Sequence, residues 1–143
     1  MQIGLLDTVS LEQSEQINKL MVQLDPSAKQ RSFRKLDQIA RQPDVYWAAV
    51  LDDRNKIHGF AMLAVYGCTI ENRGIIEDVI VDESLRGQGW GKALTQYLLD
   101  IAKGIGINTV SLTSSPHRVA ANKLYQSMGF EKRETNCYRL VLQ

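Results

Sequence analysis

The residues with the most chemical content lie in the stretch VDESLRGQGWGKAL, where Gly87, Gly89 and Gly91 alternate with Gln88 and Trp90 and are flanked by Arg86 and Lys92. Glycine lacks a β-carbon, so a ligand can approach its main chain, and it reaches left-handed dihedral angles that aim successive amide N–H groups at one point. Where such a loop opens a helix, the first amides have no intrahelical acceptor and the dipole favours an anion. The expected chemistry is capture of a phosphate or pyrophosphate, with Arg86 and Lys92 adding positive charge. Two other phosphate loops fail on spacing. A GxGxxG dinucleotide fingerprint from Gly87 needs glycine at 92, where Lys92 stands, and no acidic residue sits in a suitable strand end about 20 positions on. A GxxxxGK[ST] loop ending at Lys92 needs glycine at 86 and a hydroxyl residue at 93, where Arg86 and Ala93 stand. What remains is Arg-Gly-x-Gly-x-Gly between a strand and a helix.

That loop requires a strand before it and a helix after it, and the pattern supplies both. IIEDVIV, Ile75 to Val81, is dense in Val and Ile and reads as a central strand buried on both faces. Ala93, Leu94, Tyr97, Leu98, Ile101 and Ala102 form an apolar stripe on a helix stopping at Gly104, and INTVSLT follows as a strand. A strand–helix–strand crossover makes those two strands parallel. Upstream, Ser10 and Gln13 form a capping box for a helix over 11–24, which carries Ile17, Leu20, Met21 and Leu24 and closes before Pro26. Phe33, Leu36, Ile39 and Ala40 predict a second helix ending before Pro43, with Arg31, Arg34, Lys35 and Arg41 on its surface. VYWAAVL and IHGFAMLAVY flank a polar turn at 52–56 and form a hairpin. Ala121, Leu124, Tyr125 and Met128 mark a last helix capped by Gly129, and CYRLVL alternates as a terminal strand. The class is α/β with a mixed sheet.

The chain has 143 residues, 44% hydrophobic and 23% charged, which suits one globular domain over 1–143 and excludes collagen-like and disordered classes. A formal charge of +1 provides no field for a polyanion, so no nucleic acid partner is expected. Cys68 and Cys137 share no CxxC spacing and do not pair with His58 or His117 at ligand intervals, so no metal is expected. No run of 18 apolar residues occurs, and MQIGLLDTVSLEQ lacks the features of an export signal, so no membrane partner and a cytoplasmic location with reduced thiols are expected.

With these elements in order, the sequence resembles the GNAT superfamily of acyl-CoA dependent N-acyltransferases over roughly residues 45 to 142. The family motif is Arg or Gln, two positions, Gly, one position, Gly or Ala; Arg86-Gly87-Gln88-Gly89-Trp90-Gly91 matches at each fixed place. IIEDVIVDESL resembles the preceding strand and turn, and AANKLYQSMGF the last helix, where a tyrosine precedes Gly-Phe by four residues. The resemblance implies a mixed, mostly antiparallel central sheet with a splayed parallel strand pair and helices on both faces. It also implies acetyl-CoA as cosubstrate. The pantetheine arm pairs with backbone at Val79, Ile80 and Val81, and the pyrophosphate is held by amides from Arg86, Gly87, Gln88, Gly89, Trp90 and Gly91, with Lys92 nearby. Asn122 faces the same channel, and Tyr125 protonates the departing thiolate, a role suited to a phenol of pKa near 10.

The implied reaction is direct attack of a primary amine, from a small molecule or a peptide, on the thioester without an acyl-enzyme. Glu77, a carboxylate on the strand lining the cleft, is the candidate base. A homodimer through the terminal strand is a further implication. Two other functions remain open. One is a non-catalytic acyl-CoA binding or sensing module, which could dispense with Tyr125 and Glu77. The other is an amino-sugar phosphate N-acetyltransferase, which GIIEDVIVD resembles locally, although VSLTSSP lacks the acidic residue those enzymes place before their tyrosine. Packing accounts stand beside these roles: Tyr125 as a core residue, Glu77 and Asp78 as solvated carboxylates, and Arg31, Phe33 and Arg34 as a solvated face instead of an acceptor wall. Trp47, Tyr66 and Cys68 read as sheet and core residues, and His117 and Arg118 as cap or cofactor contacts.

Overall fold

A computed structural model describes residues 1–143. Contacts divide the chain into two units, Met1–Thr113 and Ser114–Gln143, and each is described by itself.

The first unit is built on a five-stranded sheet in the order β1-β2-β3-β4-β5: β1 Gln2–Leu5, β2 Val45–Leu51, β3 Ile57–Gly67, β4 Asn72–Val81 and β5 Thr109–Leu112. The first three pairings are antiparallel and β4–β5 is parallel, as the crossover requires. Helix α1, Leu11–Leu24, carries the capping box, with Gln13 N donating to Ser10 Oγ at 3.1 Å and Ser10 N to Gln13 Oε1 at 3.0 Å. Helix α2, Phe33–Ala40, starts at Ser32, whose hydroxyl accepts from Lys35 N.

Alternation along β2 sends its side chains to two helical layers. Trp47 and Ala49 join Ile17, Leu20, Leu36 and Phe60 in the core under α1 and α2, with Trp47 edge-on to Phe60 at 5.6 Å. Ala48 and Val50 are fully buried on the other face, where α3, Trp90–Gly104, packs through Leu94 and Leu98. Burial of each such leucine stabilises the sheet–helix contact by roughly 2 kcal/mol. Of the residues read as sheet and core, Tyr66 lies in β3 but is exposed, and Cys68, just past the end of β3, is exposed as well.

In the second unit, α4 covers Val119–Ser127, and Gly129 takes a φ of 94°, closing the helix as expected. The expected terminal strand does not form: residues after Gly129 are irregular, with Tyr138, Leu140, Val141 and Leu142 between 74% and 90% exposed. Alternation fits a residue run to a sheet face, but a strand exists only where a neighbour accepts its hydrogen bonds, and CYRLVL has none.

Candidate functional site

Strand β4 is where the sheet opens. Its pairing with β5 runs from Arg73↔Thr109 to Ile76↔Leu112 and stops, while its pairing with β3 continues to Gly59↔Val81. From Glu77 to Val81 one edge of β4 therefore has no partner strand, and Val79, Ile80 and Val81 lie along that free edge. Gly59 permits the close approach of β3, since a β-carbon there would meet Ile80 O at 2.8 Å.

At the start of the free edge β4 carries a bulge. Met62 faces Glu77 and Phe60 faces Ile80, so only Ala61 on β3 lies opposite Asp78 and Val79. Asp78 adopts a φ of 52°, a left-handed backbone uncommon for a residue with a side chain. The extra residue breaks the alternation and leaves Glu77 and Asp78 both exposed between buried Ile76 and Ile80. Both carboxyls are raised above their ordinary values by desolvation from the surrounding wall. The neighbouring Asp78 charge raises Glu77 further, and the Arg31 charge partly offsets the rise at Asp78.

The far end of β4 leads into a 3-10 turn at Glu83–Leu85, capped by Asp82, whose carboxylate accepts from Ser84 N at 2.9 Å. Gln23 of α1 grips this turn, donating to Asp82 Oδ2 at 3.3 Å and accepting from Glu83 N at 3.0 Å. Gly87 and Gly89 have φ values of 78° and 86°, and Gly89 is the N-cap of α3. Helix α3 begins at Trp90, so Gly91 is its second residue; two glycines, not three, precede the helix, because the turn is complete at Gly89. The amides of Trp90, Gly91 and Lys92 precede the first intrahelical donor, Ala93 N, which bonds Gly89 O at 3.0 Å. The Arg86 amide is already directed at Glu83 O, at 3.4 Å, and its guanidinium Nε donates to Val81 O at 3.2 Å, folding the side chain back on β4. A β-carbon built at Gly87 or Gly89 meets nothing within 4 Å, so their outer side is open. This arrangement can receive an anion at the helix start and an extended chain along β4.

In the second unit, Asn122 Nδ2 donates to Ser115 O at 3.0 Å, bracing the start of α4. Arg118 is the N-cap residue and makes no side-chain cap. Tyr125 is buried, edge-on to Phe130 at 5.9 Å. Desolvation raises its phenol above the ordinary value, partly opposed by the Arg118 charge.

The sequence patterns do not show the bulge at Asp78, nor that Asn18 of α1 accepts from Arg31 N at 2.8 Å and donates to Arg31 O at 2.9 Å, holding the segment between α1 and α2. The nearest signal of the bulge is two acidic residues breaking an apolar strand.

A mixed, mostly antiparallel sheet with one parallel pair, β4 and β5, joined through a glycine turn and α3, is the architecture that the resemblance implies. The Acetyltransferase (GNAT) family model matches residues 11–130, and the chain belongs to that family. It is 33% identical over 92 residues to N-acetylaspartate synthetase of Xenopus tropicalis, covering 64% of this chain and 32% of that protein. It is 43% identical over 61 residues to glucosamine 6-phosphate N-acetyltransferase of Trypanosoma brucei brucei, covering 43% of this chain and 40% of that one. The matches thus span well under half the length of these relatives. Among solved structures, a putative acetyltransferase from Agrobacterium tumefaciens aligns with a TM-score of 0.84 at 19% identity, covering 99% of this chain and 100% of that one. A Trypanosoma brucei acetyltransferase aligns at 0.78 and 25% identity, with coverage of 99% and 100%.

Proposed function

We propose that residues 1–143 form one N-acetyltransferase domain that moves the acetyl group of acetyl-CoA to a primary amine by direct attack. The observation that carries this reading is the free edge of β4 leading into the open, left-handed glycine turn at the start of α3. Acetyl-CoA fits this edge and turn. Val79, Ile80 and Val81 lie on the edge that lacks a partner strand and could receive a pantetheine arm there, with Val81 O already accepting from Arg86 Nε, and the amides from Gly87 to Lys92 offer donors for a pyrophosphate. Arg86 serves by fixing the turn to β4 and by its charge. The proposal adds Asn122, on its match to the family's last helix.

Acetyl-CoA supplies a thioester whose C–S bond breaks as the amine nitrogen forms its new C–N bond. Glu77 takes the amine proton, directly or through one water, and its raised pKa suits a base working toward neutral pH. Tyr125, its phenol held protonated by burial, gives a proton to the departing sulfur. The products are an acetamide and CoA thiol, with no acyl group on the protein. A cytoplasmic setting accords with two exposed, unpaired thiols at Cys68 and Cys137. A homodimer remains part of the proposal.

The test is a panel of small-molecule and peptide amines incubated with acetyl-CoA, read by thiol release and product mass. Release matched by an acetylated amine supports the reading. Binding of acetyl-CoA with no turnover on any amine would favour a sensing module.

A further inference from the structure

We propose that the sheet face beside Glu77 is an acceptor platform for a primary amine with an apolar body, the amino group at Glu77 and the carbon skeleton over Met62, Ile75 and Ala64 toward Tyr66. This rests on the acetyltransferase reading above and narrows its substrate class.

Strand register brings these side chains together. Across the antiparallel β3–β4 pair, Met62 is opposite Glu77, Ala64 opposite Ile75 and Tyr66 opposite Arg73. Directly opposed residues project to the same face with β-carbons about 4.5–5.5 Å apart, and every second residue of a strand shares that face. Glu77, Ile75 and Arg73 on β4 therefore stand beside Met62, Ala64 and Tyr66 on β3 as two adjoining rows. The bulge lies beyond Glu77 and leaves this stretch of the ladder regular.

The two rows run out from under a helical layer. Phe60, two residues before Met62, is buried with Ile17, Leu20 and Leu36 in the core under α1 and α2, and Met62 packs against that core while staying partly exposed. Further along, Ala64 and Ile75 are half-buried and Tyr66 is 45% exposed. The opposite face of the same stretch is closed, with Leu63 and Ile76 buried. An apolar strip thus leads out from the edge of the core, and beside its inner end stands the carboxylate proposed to take the amine proton. A molecule that brings its amine to Glu77 lies against Met62.

Charge defines what that molecule carries. Glu77 has a second carboxylate, Asp78, as its neighbour, and the two repel. An anion beside the amino group would meet the same repulsion. Arg73 is the one cation in the two rows, and it is occupied: its Nε donates to Glu71 Oε1 at 3.0 Å, while Glu71 Oε2 accepts from the Thr109 hydroxyl at 3.2 Å. The strip therefore favours an uncharged body over a carboxylate or phosphate. Four residues separate Glu77 from Arg73, roughly 13 Å along the strand. That length accommodates a two-carbon link and an aromatic ring reaching the ring of Tyr66.

The experiment measures kcat and KM for ethylamine, 2-phenylethylamine, L-phenylalaninamide and L-phenylalanine in wild type, Met62→Gln and Tyr66→Ala. Wild type should prefer 2-phenylethylamine over ethylamine by about tenfold or more in kcat/KM, and L-phenylalaninamide over L-phenylalanine. Met62→Gln keeps the length of the side chain but sets an amide in the strip. It should shrink the first preference by about fivefold or more through a raised acceptor KM, with the acetyl-CoA KM unaltered. Tyr66→Ala changes an exposed residue outside the core and should shrink the same preference by a smaller factor. Equal use of ethylamine and 2-phenylethylamine, a preference for L-phenylalanine over its amide, or preferences unchanged in both variants overturns the platform while transfer itself stands. A wild-type chain that acetylates none of these or any other amine overturns the acetyltransferase reading and the platform with it.

Discussion

The turn at Gly87–Lys92 and the bulge at Glu77–Val79 sit on opposite sides of the same few residues of β4, and they are built differently. The turn is made of main chain: two glycines with positive φ and a helix start whose amides are free. The bulge instead presents side chains, with Glu77 and Asp78 both turned outward by one extra residue in β4. A main-chain site serves any ligand with the same phosphate, whereas a side-chain site can be rewritten residue by residue. On the proposed function, the cosubstrate is assigned to the main chain of the turn and the acid–base chemistry to the side chains of the bulge.

The strongest way to break that division is to remove chemistry without removing binding. Glu77→Gln and Tyr125→Phe should each lower kcat by about a hundred- to ten-thousand-fold while CoA affinity, measured by calorimetry, stays at the wild-type value. A loss of affinity in Glu77→Gln would show that the bulge also holds the cosubstrate.

Gly59→Ala strikes both regions at once, since its β-carbon would sit 2.8 Å from Ile80 O and 3.2 Å from Val81 Cα. Thermal unfolding should report a loss of about 1–3 kcal/mol. A smaller effect is expected at pH. As the proposed base, Glu77 must be deprotonated to act, so kcat/KM should fall as pH drops through its raised pKa. Asp78→Asn removes one of the two causes of that rise, and the acid limb of the profile should move to lower pH. An unmoved limb would assign it to another group.

The smallest effect lies away from both regions and sets the background. Asp52 is lowered to about 2, first by the hydrogen bond from His58 and then by the amides of Lys56 and Arg54. A depressed carboxyl stabilises the fold above its unfolded value of about 4, and that contribution is lost as pH falls toward 2. The Tm difference between wild type and Asp52→Asn should narrow across that window, with activity at neutral pH unaffected.

What the sequence discloses follows the same division. The turn was legible because Arg-Gly-x-Gly-x-Gly states its backbone needs locally, and the cap Ser10/Gln13, the hairpin at 52–56 and the β4–α3–β5 crossover are likewise short-range patterns. Strand β1 was not legible: four residues carry too little pattern, and its partners lie on β2 some 45 positions on. The bulge escaped notice because register depends on the facing strand, and the Asn18 clamp because nothing in its sequence marks which loop it will hold. CYRLVL shows the converse, a strand pattern without a neighbour to pair with.

The proposal that the turn before α3 holds a pyrophosphate is tested most directly by calorimetric titration of CoA onto wild type and Gly89→Asp. Gly89 holds a φ of 86° at the N-cap of α3, so aspartate there both strains the turn by about 1–2 kcal/mol and sets a negative charge at the proposed anion site. A folded variant, verified by circular dichroism, should bind CoA at least about tenfold more weakly, whereas undiminished affinity in that folded variant would contradict the assignment of the turn.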